Sequence, residues 1–229
     1  MSVYAWCEDS GSGFTFWNEI LKTLLPDIIV ETKKNNTRLR QEASRIKNDG
    51  NTYYILIDAF MDNADVLREL DGLKRGISGK ENVFIVDIRS FEFVLLSFRL
   101  LEQWVFAQND WLKDKRRELL QARKLFVELE TVGGTDETLA KLKELFPYML
   151  NHNNEQVSAE LLYQITRNTG FETSKGKLGE CFLNDCCQWT FRQTDDLCGL
   201  DEARPNADEK KKQIVSNSVL KTAFEKAGL

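Results

Sequence analysis

Histidine is nearly absent from this sequence: among 229 residues, only His152 carries an imidazole. Histidine is the side chain most often used as a general acid or base near neutral pH. Any catalysis by this chain is therefore expected to rest on carboxylates or on a bound metal ion.

Cysteine is also scarce, and the pattern of the cysteines excludes two common roles. The five are Cys7, Cys181, Cys186, Cys187 and Cys198. Their odd number, without a secretory signal, favours reduced thiols and a cytoplasmic protein over a disulfide framework. The four cysteines between 181 and 198 match no common zinc spacing, so buried structural thiols are the favoured interpretation.

Long apolar runs and an excess of positive charge are missing as well. No run approaches the roughly 20 apolar residues of a membrane helix. The net charge of −5 and the pI near 5.2 exclude a uniformly basic surface. They leave room for a local basic patch that binds nucleic acid.

Strand-like and helix-like segments alternate in the first 92 residues. The pattern predicts strands at 3–7, 27–32, 52–60 and 82–88, and helices at 14–25, 36–49 and 63–76. The segment at 52–60 is apolar on both faces, as in a central parallel strand covered by helices. We expect an α/β unit over 1–92 with a mainly parallel sheet and flanking helices.

The remainder of the chain, 93–229, reads as mainly helical. Helical spacing occurs at 90–108, 110–130, 135–150, 155–169 and 216–229. The charged run at 208–212 is expected to be solvated, and the glycine-interrupted segment at 174–180 is not assigned to a helix. We therefore expect a helical region that packs on the α/β unit.

Acidic residues follow three of the four predicted strands. They are Glu8 and Asp9, Asp58 and Asp62, and Asp87 and Glu92. The carboxyl ends of parallel strands meet at one edge of a sheet, where open α/β folds bind ligands. Clustered carboxylates repel one another unless a cation compensates them, and oxygen-only donors suit Mg²⁺ or Mn²⁺.

Several of these acids also have a purely structural interpretation. Asp9 and Ser10 could cap the helix near Phe14, and Asp62 could cap the helix that begins near residue 63. Glu92 in a first helical turn is favourable without any function. Asp58 interrupts an apolar strand, where capping is a weak explanation. We therefore favour Glu8 as the ligand of the first pair and Asp9 as the cap.

The order of these acids resembles the TOPRIM fold of topoisomerases, primases and OLD-type nucleases. It looks most like the small TOPRIM-like effectors of bacterial anti-phage systems that accompany ABC-type ATPases. The resemblance covers roughly residues 1–95 and rests on Glu8 in AWCEDSGSGFTFW, Asp58 in ILIDAFMDN and Glu92 in VDIRSFEFVLL. The second acid of the DxD motif is replaced by Phe60.

This resemblance implies a divalent-metal nuclease that hydrolyses phosphodiesters. Glu8 and Asp58, with Asp62 or Glu92, would hold Mg²⁺ or Mn²⁺. The segment SKGKLGE at 174–180 is similar to a lysine-bearing segment of OLD-type enzymes. It implies that Lys175 or Lys177 steadies the scissile phosphate.

Two basic segments could follow a nucleic-acid backbone. One holds Arg38, Arg40 and Arg45, and the other holds Lys115, Arg116 and Arg117. A solvated helix face with interleaved Glu118 is the alternative for the second segment. The partners expected are nucleic acid, an ABC-type ATPase and a second copy of the chain, without a membrane.

Two other functions remain open. A receiver domain of two-component signalling also places an acidic pair after the first strand and a phosphorylatable Asp, here Asp58, after the third. A TOPRIM-like unit without catalytic activity could instead serve as an interaction module. Its aromatic residues after residue 90 would then form a partner surface.

Overall fold

A four-stranded sheet forms the centre of the amino-terminal part of the chain. The computed structural model describes residues 1–60, 62–106, 110–186 and 198–229. The strands are β1 (Val3–Cys7), β2 (Ile29–Thr32), β3 (Thr52–Asp58) and β4 (Val83–Ile88). All neighbours pair in parallel, in the order β2-β1-β3-β4. The predicted parallel sheet is confirmed, and its four strands end at the same edge.

Three helices connect these strands. They are α1 (Ser12–Leu24), α2 (Asn36–Arg45) and α3 (Ala64–Ile77). Helix α1 packs in the larger core through Phe16, Trp17 and Ile20. Helices α2 and α3 belong to a smaller core on the other face, which contains Leu39 and Leu73. The sheet is therefore covered on both faces, which explains why β3 is apolar on both sides.

Among the described residues, nine further helices make up the helical region. They are α4 (Phe91–Ser97), α5 (Leu101–Phe106), α6 (Asp110–Lys115), α7 (Arg117–Val132), α8 (Asp136–Leu145), α9 (Asn154–Thr166), α10 (Glu180–Leu183), α11 (Ala207–Ser216) and α12 (Leu220–Ala227). A 3₁₀ turn at Pro147–Leu150 lies between α8 and α9. The predicted helical character is confirmed for the described residues, but several predicted helices are wrong in length.

The predicted helices at 90–108 and 110–130 are each broken by an arginine that binds carbonyl groups. Helix α4 ends where Arg123 donates to the carbonyls of Leu96 and Phe98, both at 2.7 Å. Helices α6 and α7 are separated at Arg116, whose guanidinium donates to the carbonyls of Ile165 and Arg167 at the end of α9. These contacts come from distant parts of the chain, so periodicity could not indicate them.

Two further predictions differ from the structure. One concerns a helix end and has a local cause, and the other concerns a charged run and has a tertiary cause. Pro147 lacks an N–H and restricts the residue before it, so the predicted helix at 135–150 ends at Leu145. The run 208–212 lies in α11 and is not fully solvated. Lys210 is buried and donates to the carbonyl of Cys181 at 3.0 Å, while Lys211 pairs with Glu19 at 3.0 Å.

The larger core extends across both parts of the chain. It includes Ala5 and Phe16 from the α/β unit and Phe126, Leu161 and Phe224 from the helical region. Within the described residues, no helix is both long and apolar enough to cross a membrane.

Candidate active site

Carboxylates from four elements line one cavity of about 570 Å³ at the carboxyl edge of the sheet. They are Glu8 and Asp9 after β1, Asp58 at the end of β3, Glu92 in α4 and Glu155 in α9. The sheet order changes direction between β1 and β3, which is the position where open parallel sheets bind ligands. Helices α1, α2 and α9 also begin at this cavity, and their amino-terminal ends favour negative charge.

Glu8 is held by Asn36 at the start of α2. The pKa of Glu8 is raised from 4.5 to about 7, mainly by burial and also by the charges of Asp9 and Glu155. Hydrogen bonds from the side chain and backbone of Asn36 act in the opposite direction. Glu8 therefore titrates near neutral pH, where a cation competes with a proton for the same oxygens.

Asp9 belongs to the cavity and does not cap α1. The N-cap residue is Gly11, and no side chain caps this helix. The Oδ2 of Asp9 instead accepts from Nε1 of Trp17 at 2.6 Å. A Cβ at Gly13 would lie 2.2 Å from Oδ1 of Asp9, so glycine leaves the space that this carboxylate occupies. The predicted capping role of Asp9 is therefore wrong, whereas Glu8 as a ligand stays a prediction.

Asp58 interacts electrostatically with the other four carboxylates of the cavity. Burial raises its pKa well above the ordinary value, and the charges of Asp9, Glu8 and Glu92 raise it in turn. It is the last residue of β3, beside β1 in the sheet. Ionising Asp58 together with the four acids around it is unfavourable in free energy unless a cation compensates the negative charges.

Glu92 lies in the first turn of α4, as the sequence indicates. Burial raises its pKa to about 7, although hydrogen bonds from its own backbone N–H and from Ser90 lower it. The N-cap of α4 is Ser90, whose hydroxyl accepts from the N–H of Phe93. The cap is therefore supplied by Ser90, which leaves the carboxylate of Glu92 at the cavity.

Glu155 was missed by the sequence interpretation. It lies in the first turn of α9, far from the strand ends in sequence, and it is exposed at the cavity. The only signal was an acid at the first residue of the predicted helix at 155–169. Such a pattern has an ordinary structural explanation, so nothing in the sequence singled out Glu155.

Asp62 and Asp87 lie outside this cavity. The Oδ2 of Asp62 accepts from the backbone N–H of Asn154 at 2.7 Å. Asn63 caps α3 with its own side chain, so Asp62 is not the cap of that helix either. Asp87 is exposed and lies 3.7 Å from Arg89. Phe60, at the second position of the DxD motif, is buried against Phe93 in the core.

Two lysines lie at the same cavity as the carboxylates. Lys175 lies in the turn closed by the bridge between Ser174 and Lys177, and Lys34 follows β2 with a φ of 71°. Both are exposed, and neither forms an ion pair with a carboxylate of the described residues. Lys177 is paired with Glu172 at 2.8 Å and does not line the cavity.

None of the six predicted nucleic-acid contacts lines the cavity. Arg38 pairs with Glu42, Arg40 pairs with Glu69, Arg45 is exposed, Lys115 lies over the ring of Trp111, and Arg117 pairs with Asp114. Arg116 departs from the expectation because its guanidinium is buried on the carbonyls at the end of α9. Arg116 therefore has a structural role.

The donor atoms that line the cavity are of the chemical type that binds a hard divalent cation. They are carboxylates together with the amide oxygen of Asn36, which is buried without a hydrogen-bond partner. Mg²⁺ prefers such oxygens and usually keeps several of its waters. In the described part of the chain, no three His, Cys, Asp or Glu side chains are close enough to hold a metal ion together. The carboxylates therefore line the cavity walls without meeting at one point.

The described cysteines between 181 and 198, namely Cys181, Cys186 and Cys198, are only partly buried, in contrast to the expected buried thiols. Cys187 lies outside the described residues, and Cys7 is buried in β1, where burial raises the pKa of its thiol to about 12. His152 also lies away from the cavity. Its ring stacks on Tyr148, and its Nδ1 lies 2.8 Å from the carbonyl of the same residue.

No family model, curated protein or solved structure matches this chain.

Proposed function

We propose that this chain is a divalent-cation-dependent nuclease of TOPRIM type that hydrolyses phosphodiester bonds. The supporting observation is a cavity at the carboxyl edge of the parallel sheet that combines five carboxylates with two lysines, neither of which forms an ion pair among the described residues. Carboxylates of this kind bind a hard cation, and lysines bind the phosphate of a substrate.

Each residue has a separate role in this proposal. Glu8, Asp58 and Glu92 would bind hydrated Mg²⁺ or Mn²⁺ from separate walls of the cavity, largely through the waters that such an ion retains. When bound, the ion would favour attack by water and stabilise negative charge on the phosphate. Lys175 and Lys34, which line the same cavity, would hold the phosphate.

The position of His152 supports carboxylate chemistry over histidine chemistry. The imidazole is engaged with Tyr148 and does not line the cavity. Glu8 and Glu92, each with a pKa of about 7, can accept or release a proton near neutral pH.

The partners proposed with this function follow from the resemblance to anti-phage effectors. They are a nucleic-acid substrate, an ABC-type ATPase and a second copy of the chain, in a cytoplasmic setting. Arg38, Arg45 and Lys115 remain proposed contacts for the nucleic-acid backbone, since their charged groups reach solvent.

Titration with Mn²⁺ tests the cation site directly. We expect Glu8→Gln, Asp58→Asn and Glu92→Gln each to weaken Mn²⁺ binding by at least about tenfold, because even indirect partners of a metal contribute that much. Asp71→Asn is the matched control, because Asp71 is exposed on α3. Isothermal titration calorimetry gives the affinities, and circular dichroism checks folding.

A cleavage assay with the same variants tests the reaction. Plasmid DNA, single-stranded DNA and RNA are incubated with protein and Mn²⁺, and we expect Asp58→Asn to abolish cleavage. If this folded variant cuts as fast as the wild type, the assignment of Asp58 is wrong. If the wild type binds Mn²⁺ but cuts none of these, the inactive interaction module gains support.

A receiver-like function is the second candidate, favoured by the strand order and by Asp58 at the end of β3. The charges of Glu92 and Glu155 speak against it, because they would repel a phosphoryl group on Asp58. Incubation with acetyl phosphate and Mg²⁺, followed by mass spectrometry, distinguishes the two functions. A stable phosphoryl adduct on Asp58 would overturn the nuclease proposal.

A further inference from the structure

Asp62 contacts the helix that carries Glu155, although it lies outside the cavity. Its Oδ2 accepts from the backbone N–H of Asn154 at 2.7 Å. Asn154 is the first residue of α9, so this bond joins the β3–α3 connection to the start of that helix. The first N–H groups of a helix have no partner within it, and a carboxylate at this end also interacts favourably with the helix dipole.

The side chain of Asn154 is held from another direction. Its Nδ2 donates to Oε1 of Glu130 at 2.6 Å. Arg89, between β4 and α4, fixes Glu130 in turn: its Nε lies 3.3 Å from Oε2 of Glu130, and its Nη2 donates to the carbonyl at 2.9 Å. The side chain of Glu130 is only 6% exposed, so this pair is a fixed part of the structure.

These bonds attach Asn154 both to the edge of the sheet and to α7. Glu155 is the next residue, and its carboxylate lines the cavity together with Glu8 and Asp58. The amino-terminal cap of α9 adds a third restraint, since Asn153 and Gln156 exchange hydrogen bonds. The backbone that presents Glu155 is therefore held on both sides of this residue.

We propose that Glu155 is a cation-binding carboxylate of the site and that Asp62 is its positioning residue, acting through Asn154. The proposal rests on the cation-dependent function proposed above and adds a ligand from the helical region. It also changes the role of Asp62, which the TOPRIM resemblance offers as a metal ligand.

The two possible roles of Asp62 differ in what the side chain must supply. A ligand of the cation needs its negative charge, whereas a positioning residue needs only an oxygen that accepts from the N–H of Asn154. Asparagine supplies such an oxygen without the charge. Asp62→Asn therefore separates the two roles, and Asp62→Ala removes both.

The experiment measures Mn²⁺ affinity and amide hydrogen exchange on the full chain. The variants are Asp62→Asn, Asp62→Ala, Glu155→Gln and the double variant Asp62→Ala/Glu155→Gln, with Asp71→Asn as the control. We expect Asp62→Ala and Glu155→Gln each to weaken Mn²⁺ binding about tenfold, as partners of a metal site typically do. The double variant should lose little more than either single one. Asp62→Asn should keep the wild-type affinity.

Hydrogen exchange reports the contact itself and does not depend on cation binding. We expect faster exchange of the Asn154 amide in Asp62→Ala and wild-type protection in Asp62→Asn. A merely destabilised protein would instead show faster exchange in many elements.

The contrary results are distinct. If Asp62→Asn binds Mn²⁺ as weakly as Asp62→Ala, Asp62 is itself a ligand and the positioning role is wrong. If Glu155→Gln leaves the affinity unchanged, Glu155 does not bind the cation. If the wild type binds no Mn²⁺, the proposed function and the role of Glu155 both fall. Hydrogen exchange of the Asn154 amide would then still show whether Asp62 holds the start of α9.

Discussion

At the scale of single residues, the carboxylates of the cavity make folding depend on pH in an unusual direction. Burial and mutual repulsion raise the pKa of Glu8 and Glu92 from 4.5 to about 7, and raise that of Asp58 as well. Most acids with a shifted pKa in folded proteins are shifted the other way by ion pairs, as Glu42 and Glu69 are here.

The expected consequence is a loss of stability as the pH rises. Between about pH 4.5 and 7, the folded chain holds protons on Glu8 and Glu92 that the unfolded chain has released, so the free energy of unfolding falls with increasing pH. Without divalent cations, urea unfolding should therefore show higher stability near pH 5.5 than near pH 8. Mg²⁺ should restore stability mainly at the higher pH.

Glu8→Gln provides the control for this pH dependence. Its amide cannot titrate, so the decline in stability with pH should become shallower. Glu42 and Glu69 have a lowered pKa, so their contributions are lost only in more acidic solution and do not overlap this range. Equal stability slopes for the wild type and Glu8→Gln would contradict the expectation.

The sequence was sufficient to predict that some of these acids lie together at one edge of the sheet. Asp58 was identifiable because an acid inside an apolar strand has few structural explanations, and Glu8 and Glu92 because parallel strands end at one edge. Asp9 was assigned wrongly because the preference of Asp for caps is statistical, whereas here Trp17 binds its carboxylate. Glu155 could not be selected because its approach to the cavity depends on how α9 packs.

At the scale of elements, helix boundaries were predictable where the cause is local. Pro26 follows α1, and the predicted strand at 3–7 agrees with β1. The breaks after α4 and α6 coincide with tertiary contacts: Arg123 binds carbonyls at the end of α4, and Arg116, at the break after α6, binds carbonyls at the end of α9. A periodic pattern contains no information about which distant carbonyl an arginine will reach.

The neighbouring residues Arg116 and Arg117 offer a matched test of this view. Arg116→Met removes two bonds to the carbonyls that end α9, and it should lower the free energy of unfolding by about 2–3 kcal/mol, as expected for buried bonds to a charged group. Arg117→Met removes an exposed pair with Asp114 and should change it by less than about 0.5 kcal/mol.

Urea denaturation monitored by circular dichroism measures both variants, and binding of a labelled oligonucleotide completes the comparison. Arg117→Met is expected to weaken binding if this helix face contacts a phosphate backbone. Arg116→Met is expected to leave oligonucleotide binding unchanged, because the guanidinium of Arg116 faces the protein interior. The reverse order of stabilities would show that Arg116 is not structural.

At the scale of the whole molecule, the larger core joins the sheet to the helical region. Phe91, Phe93 and Val94 of α4 are buried in it, and so are Leu161 of α9 and Phe224 of α12. The face of the sheet that α1 covers is therefore completed by residues from beyond the α/β unit. Two parts that share one core are expected to fold together.

A truncated chain tests this expectation. Residues 1–92 alone would expose the apolar groups that α4, α11 and α12 cover, so we expect no cooperative thermal transition and strong binding of the dye ANS. The full chain should unfold in one transition seen equally by circular dichroism and tryptophan fluorescence. A cooperatively folded 1–92 fragment would show that the sheet and its own helices are sufficient.

The hydrogen bond between Trp17 and Asp9 also has a practical consequence. The indole is fully buried, and its N–H touches a carboxylate of the cavity at 2.6 Å. Protonation of that carboxylate, or arrival of a cation beside it, changes the electric field on the ring. The fluorescence emission of Trp17 should therefore report protonation of Asp9 or cation binding beside it. Subtracting the spectrum of Trp17→Phe isolates that signal without any attached label.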